Sequence, residues 1–124
     1  MKKILGLETL YFYDGVNFKD GDPKPKGSPK DLVKAAQSMY RELSPETGEF
    51  FDTMVNDQLM DLVNKAGKRP GGFCTSFPKY KRPYIFSNFN GTDHDITVLT
   101  HEAGHAFQNY SSTHLPLVNY HWPT

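Results

Sequence analysis

Cysteine is nearly absent from the 124-residue sequence, and its single cysteine, Cys74, has no partner for an internal disulfide. This excludes the small secreted domains that several disulfides stabilise. The sequence also lacks an apolar run of the roughly 20 residues that a membrane-spanning helix requires. Because the apolar run after Lys3 ends at Glu8, it is shorter than the roughly 7–15 residues of an export signal. We therefore expect a protein of the reducing cytoplasm with no membrane partner.

Net charge and aliphatic content are low as well. Lys+Arg and Asp+Glu number 14 each, so no overall field favours nucleic acid as a partner. Residues 68–82 nevertheless hold five bases and no acid. Solvated surface accounts for this cluster, and contact with a peptide or with another part of a larger protein is the alternative. Hydrophobic residues make up 37% of the chain, which predicts one modest core that more chain or a partner completes.

Two Ser-Pro pairs predict the starts of two consecutive helices. Ser28 is a good N-cap with Pro29 in the first turn, and Ser44-Pro45 repeats that signal. Apolar residues keep helical spacing after each pair, and the second helix is predicted to reach about Lys65, before Gly67.

The other segments outside the C-terminal part are predicted to be extended or looped. Residues 4–13 are aromatic-rich and typical of a strand, and residues 14–28 form a loop. Phe73–Phe77 and Pro83–Phe89 are predicted as short strands, followed by a turn at Asn90-Gly91. The predicted fold class is mainly α with a small antiparallel β-sheet, an α+β architecture.

Residues 92–110 contain the motif with the clearest chemical meaning. On a helix, His105 lies about 40° from His101 and one turn further on. The spacing His101-Glu102-x-x-His105 therefore lets two imidazoles bind one zinc ion. The opposite face is apolar and is predicted to pack on the two earlier helices through Ile96, Leu99, Ala103 and Phe107.

Glu102 flanks the histidine face, where it can contact a water bound to the metal. Zinc lowers the pKa of that water toward about 7, and the carboxylate takes its proton as general base. The hydroxide then attacks a peptide carbonyl, and Glu102 passes the proton to the leaving amine. The residues around the motif are uncharged, as a metallopeptidase requires, because a charge there would compete for the metal.

Three segments make the sequence recognisable: Gly67–Thr75, Pro83–Gly91 and Leu99–Gln108. Together they resemble the oligoendopeptidase F group of the thimet oligopeptidase family of zinc peptidases. The resemblance implies part of the helical catalytic domain of a zincin-like oligopeptidase, with an oligopeptide as substrate. It also implies a small β structure beside the active-site helix, whose edge strand pairs with the substrate backbone.

The resemblance assigns roles to individual residues. His101 and His105 are its zinc ligands, and Glu102 is its general base. Candidate substrate-binding residues lie in the β structure, at Gly71, Gly72, Phe86, Ser87 and Asn88.

The resemblance leaves the third zinc ligand unassigned. In the family it is a glutamate on a later helix, which would lie beyond Thr124. Residues 1–124 are therefore interpreted as a single, partial catalytic domain, truncated before this ligand, with the missing C-terminal segment as a partner. Other metal-binding side chains in the chain are His94, His114, His121 and Cys74.

None of these side chains fits well. His114 and His121 do not have the spacing of the extended HExxHxxGxxH motif. His94 lies about 10 Å from His101 along the helix axis, and Cys74 is interpreted as a structural thiol.

Three hypotheses follow. The first is a zinc-dependent metalloendopeptidase that hydrolyses internal bonds of short peptides. This chain is part of that enzyme and is expected to be inactive by itself. The alternative is an inactive fragment or interaction module that needs a separate C-terminal half to complete the site. The third is a compact metalloprotease complete within the chain, with His114 or His121 as third ligand.

Overall fold

A computed structural model describes residues 23–113 together with residues 6, 8, 9, 11 and 115. The predicted strand over residues 4–13 and the start of the loop that follows it lie largely outside these described residues. No helix in the described part is long and apolar enough to cross a membrane. The regular elements, in chain order, are α1 (Pro29–Leu43), α2 (Pro45–Asn56), β1 (Met60–Val63), β2 (Phe73–Phe77), a short 3-10 helix (Pro78–Tyr80), β3 (Arg82–Phe89) and α3 (His94–Ser111).

Both predicted helix starts are confirmed. The Ser28 side chain accepts the backbone N–H of Asp31, whose carboxylate in turn accepts the backbone N–H of Ser28 at 2.8 Å. Ser44 ends α1 and caps α2, because its hydroxyl accepts the backbone N–H of Thr47 at 3.2 Å. These reciprocal bonds satisfy donors that a helix N-terminus leaves free.

The predicted extension of the second helix to Lys65 is wrong. The helix ends at Asn56, and Gln58 adopts a left-handed backbone with φ of 55°. Residues Met60–Val63 then form a strand. A short apolar run fits either element by its periodicity, so the pairing of this run with β3 decides its conformation.

The three strands form one sheet in the order β1-β3-β2. β2 pairs antiparallel with β3, with Cys74 opposite Ile85, whereas β1 pairs parallel with β3, with Met60 opposite Ile85. The sheet is therefore mixed and not purely antiparallel as predicted, because the additional strand β1 reaches it through a crossover. The predicted α+β class and the two predicted strands are confirmed.

One core joins the sheet to the helices. Phe50 is fully buried and contacts the rings of Phe107 and Tyr110 on α3, with centroids 5.3 and 5.5 Å apart. Ile96, predicted to face this core, is 45% exposed, so the buried stripe of α3 begins one turn later, at Leu99. The buried apolar side chains are Ala36, Phe50, Phe51, Met54, Leu62, Ile85, Phe89, Leu99, Ala103 and Ala106.

Candidate metal centre

Asp95 fixes the start of α3 against the end of β3. Its side chain is 4% exposed, and its carboxylate accepts the backbone N–H of Asn90 at 3.0 Å and that of Gly91 at 2.8 Å. Its negative charge also suits the N-terminus of a helix. The Thr92 hydroxyl donates to the Asn90 side chain. A carboxylate four residues after an Asn-Gly turn is the signal that indicates this role.

His101 and His105 are brought together on the exposed side of α3. Their Nε2 atoms lie 3.1 Å apart, and their rings are nearly perpendicular, at 85°. A tetrahedral zinc ion with Zn–N distances of about 2.0–2.1 Å holds two nitrogen ligands about 3.3 Å apart. The two nitrogens are thus spaced as two ligands of one zinc ion. This is the geometry that the i, i+4 spacing predicts.

Glu102 lies on the neighbouring part of the helix surface, where α3 contacts β2. It is 8% exposed, and no residue in the described part of the chain donates a hydrogen bond to its carboxylate. Burial raises the pKa of the Cys74 thiol to about 11, and the nearby charge of Glu102 contributes to that rise. Cys74 is therefore a protonated, half-buried thiol in β2, consistent with the structural role predicted for it.

The outer edge of β2 runs beside the histidine pair. Ile85 of β3 donates its backbone N–H to Leu59 on the β1 side. Because successive residues of a strand direct their backbone groups to opposite sides, β3 offers Tyr84 and Phe86 to β2, opposite Thr75 and Phe73. Cys74 and Ser76 alternate with Phe73 and Thr75 along β2. Their backbone N–H and C=O groups therefore point away from β3, toward the outer edge of the sheet.

Contacts with α3 place this edge along the helix. A Cβ atom on Gly72 would lie 3.1 Å from Val98 Cγ1, one turn before His101, and Cys74 interacts with Glu102. Val98 therefore packs on the residue that precedes β2, Glu102 lies on the side of α3 that faces β2, and the histidines follow next around the helix, away from the core. The outward backbone groups of β2 and the histidine nitrogens border the same surface.

The five candidate substrate-binding residues separate into two groups. Gly71 and Gly72 lie in the exposed loop before β2, so their backbones are accessible. The other three side chains make contacts within the protein. Phe86 stacks on Phe73 with centroids 4.9 Å apart, Ser87 is buried, and the Asn88 amide donates to the carbonyl oxygens of residues 69 and 71.

A third metal ligand is not assembled among the residues that the structure describes. No group of three or more His, Cys, Asp or Glu side chains in that part could hold a metal ion. His94, in the first turn of α3, is exposed and belongs to no such group. His114 and His121 lie outside the described residues.

Known proteins share this sequence and fold. The sequence model of peptidase family M3 matches residues 31–124. An oligoendopeptidase F homolog of Borreliella burgdorferi is 29% identical over 119 residues, which cover 90% of this chain and 19% of that protein.

Two solved structures are similar over nearly the whole chain. PZ peptidase A, solved with an inhibitor, is 53% identical with a TM-score of 0.92, and the match covers 99% of this chain and 22% of that one. An oligoendopeptidase F from Bacillus anthracis strain Ames is 52% identical with a TM-score of 0.92, covering 99% and 23% of the two chains. The chain thus spans about a fifth of the length of the relatives it matches.

Proposed function

Because the chain belongs to peptidase family M3, we propose that it carries two zinc ligands and the general base of a metalloendopeptidase that hydrolyses internal bonds of short peptides. The observation that carries this proposal is the 3.1 Å separation of the His101 and His105 Nε2 atoms on an exposed helix face. The oligoendopeptidase F relatives support a peptidase of this kind.

The residues divide the chemistry between them. His101 and His105 would hold the ion, which when bound polarises the peptide carbonyl and acidifies water. Glu102 would take a proton from the attacking water onto a carboxylate oxygen and deliver it to the nitrogen of the leaving amine. A carboxylate that accepts no hydrogen bond from the described protein groups is available for that transfer.

The outer edge of β2 offers a binding site for the substrate backbone. An extended peptide can pair with the outward N–H and C=O groups of Cys74 and Ser76, as in other cases of strand addition. Gly71, where a Cβ atom would meet nothing within 4 Å, would leave room for the peptide before it reaches β2, whereas Gly72 packs on Val98. Such pairing would recognise the backbone of the substrate and not particular side chains, which suits a peptidase that acts on short peptides.

The chain would need a further segment to complete the site. A catalytic zinc site has three protein ligands and one open position, and His101 and His105 would supply two of the three. We propose that residues 1–124 are part of one catalytic domain, that the third ligand comes from the part of a longer peptidase beyond this region, and that the chain alone is inactive. We also propose the cytoplasm as the location, because a single cysteine provides no internal disulfide of the kind that secreted domains use.

Calorimetric titration of this chain with zinc chloride tests the proposal. We expect weak binding, because two imidazoles form an incomplete site. Binding should disappear in His101→Ala and persist in His94→Ala, a matched control on the same helix outside the pair. Equal binding by the wild type and His101→Ala would refute the metal site.

Zinc titration also separates the proposed function from two alternatives, a compact metalloprotease and an interaction module. Tight 1:1 binding that His101→Ala abolishes would indicate a third ligand within the chain, from His114, His121 or a second copy, and would favour a compact metalloprotease. The interaction-module hypothesis is favoured by the incomplete ligand set among the described residues. It predicts that adding the C-terminal part of a related M3 peptidase restores zinc affinity without restoring peptide hydrolysis.

A further inference from the structure

Lys68 is a charged side chain held inside the protein. It lies in the loop between β1 and β2 and is 6% exposed. Its Nζ donates to the carbonyl oxygens of Asp61 at 3.0 Å and Val63 at 2.9 Å, and pairs with the Asp61 carboxylate at 3.2 Å. The ammonium group has three N–H donors, so all of them are used. Burial of such a charge persists only where its partners are held in place.

The same ammonium group also contacts the sheet. Its Nζ lies 4.4 Å from the centroid of the Phe86 ring, and that ring stacks on Phe73, the first residue of β2. Lys68 therefore links β1, β3 and the start of β2 through one side chain. Sequence reasoning grouped it with the solvated basic residues of 68–82, and its burial corrects that interpretation.

Asn88 holds the end of the same loop. Its Nδ2 donates to the carbonyl oxygens of Arg69 at 2.9 Å and Gly71 at 2.7 Å. Because both acceptors are carbonyls, the orientation of the amide is fixed, and Oδ1 is left buried without a partner in the described part of the chain. A buried oxygen without a hydrogen bond is unfavourable. Asn88 nevertheless adopts this orientation, in which its Nδ2 makes both hydrogen bonds to the loop.

These contacts determine where β2 lies relative to the histidines. Asn88 binds the loop at the carbonyl oxygen of Gly71. The next residue, Gly72, packs against Val98, one turn before His101. From there β2 continues along α3, with the Cys74 thiol within reach of the Glu102 charge. The position of the outer edge of β2 is thus set at the loop that Lys68 and Asn88 anchor.

We propose that Lys68, supported by Asn88, is a positioning residue that holds the start of β2 so that its outer edge lies alongside His101 and His105. The proposal deepens the peptidase function proposed above, on which its catalytic meaning rests. Neither side chain touches the reacting groups. Both act through the backbone of Arg69–Cys74.

Cys74, the single cysteine of the chain, is a built-in reporter of the position of β2. We would measure the rate at which iodoacetamide alkylates it at fixed pH, across urea concentrations well below the unfolding transition. Lys68→Met should raise the rate at least about tenfold, the factor expected from losing hydrogen bonds to a charged group. The increase should depend little on urea, because it reports a local displacement of β2.

Lys79→Met is the matched control, since Lys79 also lies near an aromatic ring, 5.9 Å from the centroid of Tyr80, but is exposed. It should leave the rate unchanged. Asn88→Asp, nearly isosteric and lacking both donors, should raise the rate as Lys68→Met does, and provides the test if that variant does not fold. The proposal is overturned if the Lys68 and Asn88 variants are alkylated at the rate of the control. It is also overturned if the alkylation rate of these variants depends on urea as strongly as global unfolding does, because Cys74 would then react only in the unfolded chain. The readout needs no metal, so its failure is distinct from failure of the zinc titration.

Discussion

The carboxylate of Asp95 accepts the backbone N–H of Gly91 at 2.8 Å, which ties the first turn of the histidine helix to the turn that follows β3. This bond determines how α3 leaves the sheet, and therefore how its histidine face is aimed. The backbone N–H of Asn90 donates to the same carboxylate, so both residues of the Asn90-Gly91 turn are bound to the first turn of α3.

Asp95→Ala should lower the free energy of unfolding by about 1–3 kcal/mol, because it removes the charged acceptor of the backbone N–H groups of Asn90 and Gly91. Urea denaturation followed by circular dichroism measures this change. Asp93→Ala is the control, because Asp93 is exposed and its side chain makes no capping hydrogen bond. Equal effects of the two substitutions would contradict the role assigned to Asp95.

Phe50→Ala should destabilise the protein by about 3–5 kcal/mol, because it removes a fully buried ring at the junction of α2 and α3. In a chain of this size, that loss leaves little or no cooperative unfolding transition. Phe77→Ala, at a ring that is 47% exposed, is the control and should cost far less. Thermal unfolding of both variants by calorimetry checks the difference.

The Cys74 thiol should make stability depend on pH in the alkaline range. Burial raises its pKa from 9.0 to about 11 in the folded protein. The folded state therefore retains the proton longer than the unfolded state, and the stabilising contribution is complete below about pH 9 and is lost as pH rises toward 11. Urea titrations between these values should show a decline that is smaller in Cys74→Ala. Parallel declines in the two proteins would mean that other groups account for the effect.

Glu102→Gln should separate metal binding from catalysis. In the chain extended by the C-terminal part of the 53%-identical relative, the amide cannot take a proton from water, so cleavage of a quenched fluorescent peptide should fall by about 10²–10⁴-fold. Zinc affinity should change little, because both histidines remain. Glu49→Gln, an exposed glutamate on α2, is the control and should retain activity. Retained hydrolysis in Glu102→Gln would exclude Glu102 as the base.

Glu102→Gln should also lower the pKa of the Cys74 thiol, because the neighbouring negative charge contributes to the rise. The pH dependence of the rate at which iodoacetamide alkylates Cys74, the single cysteine of this chain, measures the change in the absence of metal. A thiol pKa that stays at its wild-type value would mean that burial alone accounts for the shift.

Features that depend on neighbouring residues were predictable from the sequence. Ser28 and Ser44 mark helix starts because a cap bonds to a residue three positions later. The histidine pair follows from helical periodicity alone, since residues four apart share one face. The α+β class and the two strands β2 and β3 were predictable for the same reason, from short runs bounded by turn residues.

Tertiary contacts decided what the sequence left open. Residues 60–63 became a strand because they pair with β3, and Met60 meets Ile85, which lies far along the chain. Lys68 is buried because partners in β1 and β3 surround it, although its neighbours in sequence are solvated bases. The sequence by itself determined that His101 and His105 share one face of a helix, because their spacing is local. Only the tertiary structure decided which backbone edge lies beside them, because that depends on contacts between residues distant in the chain.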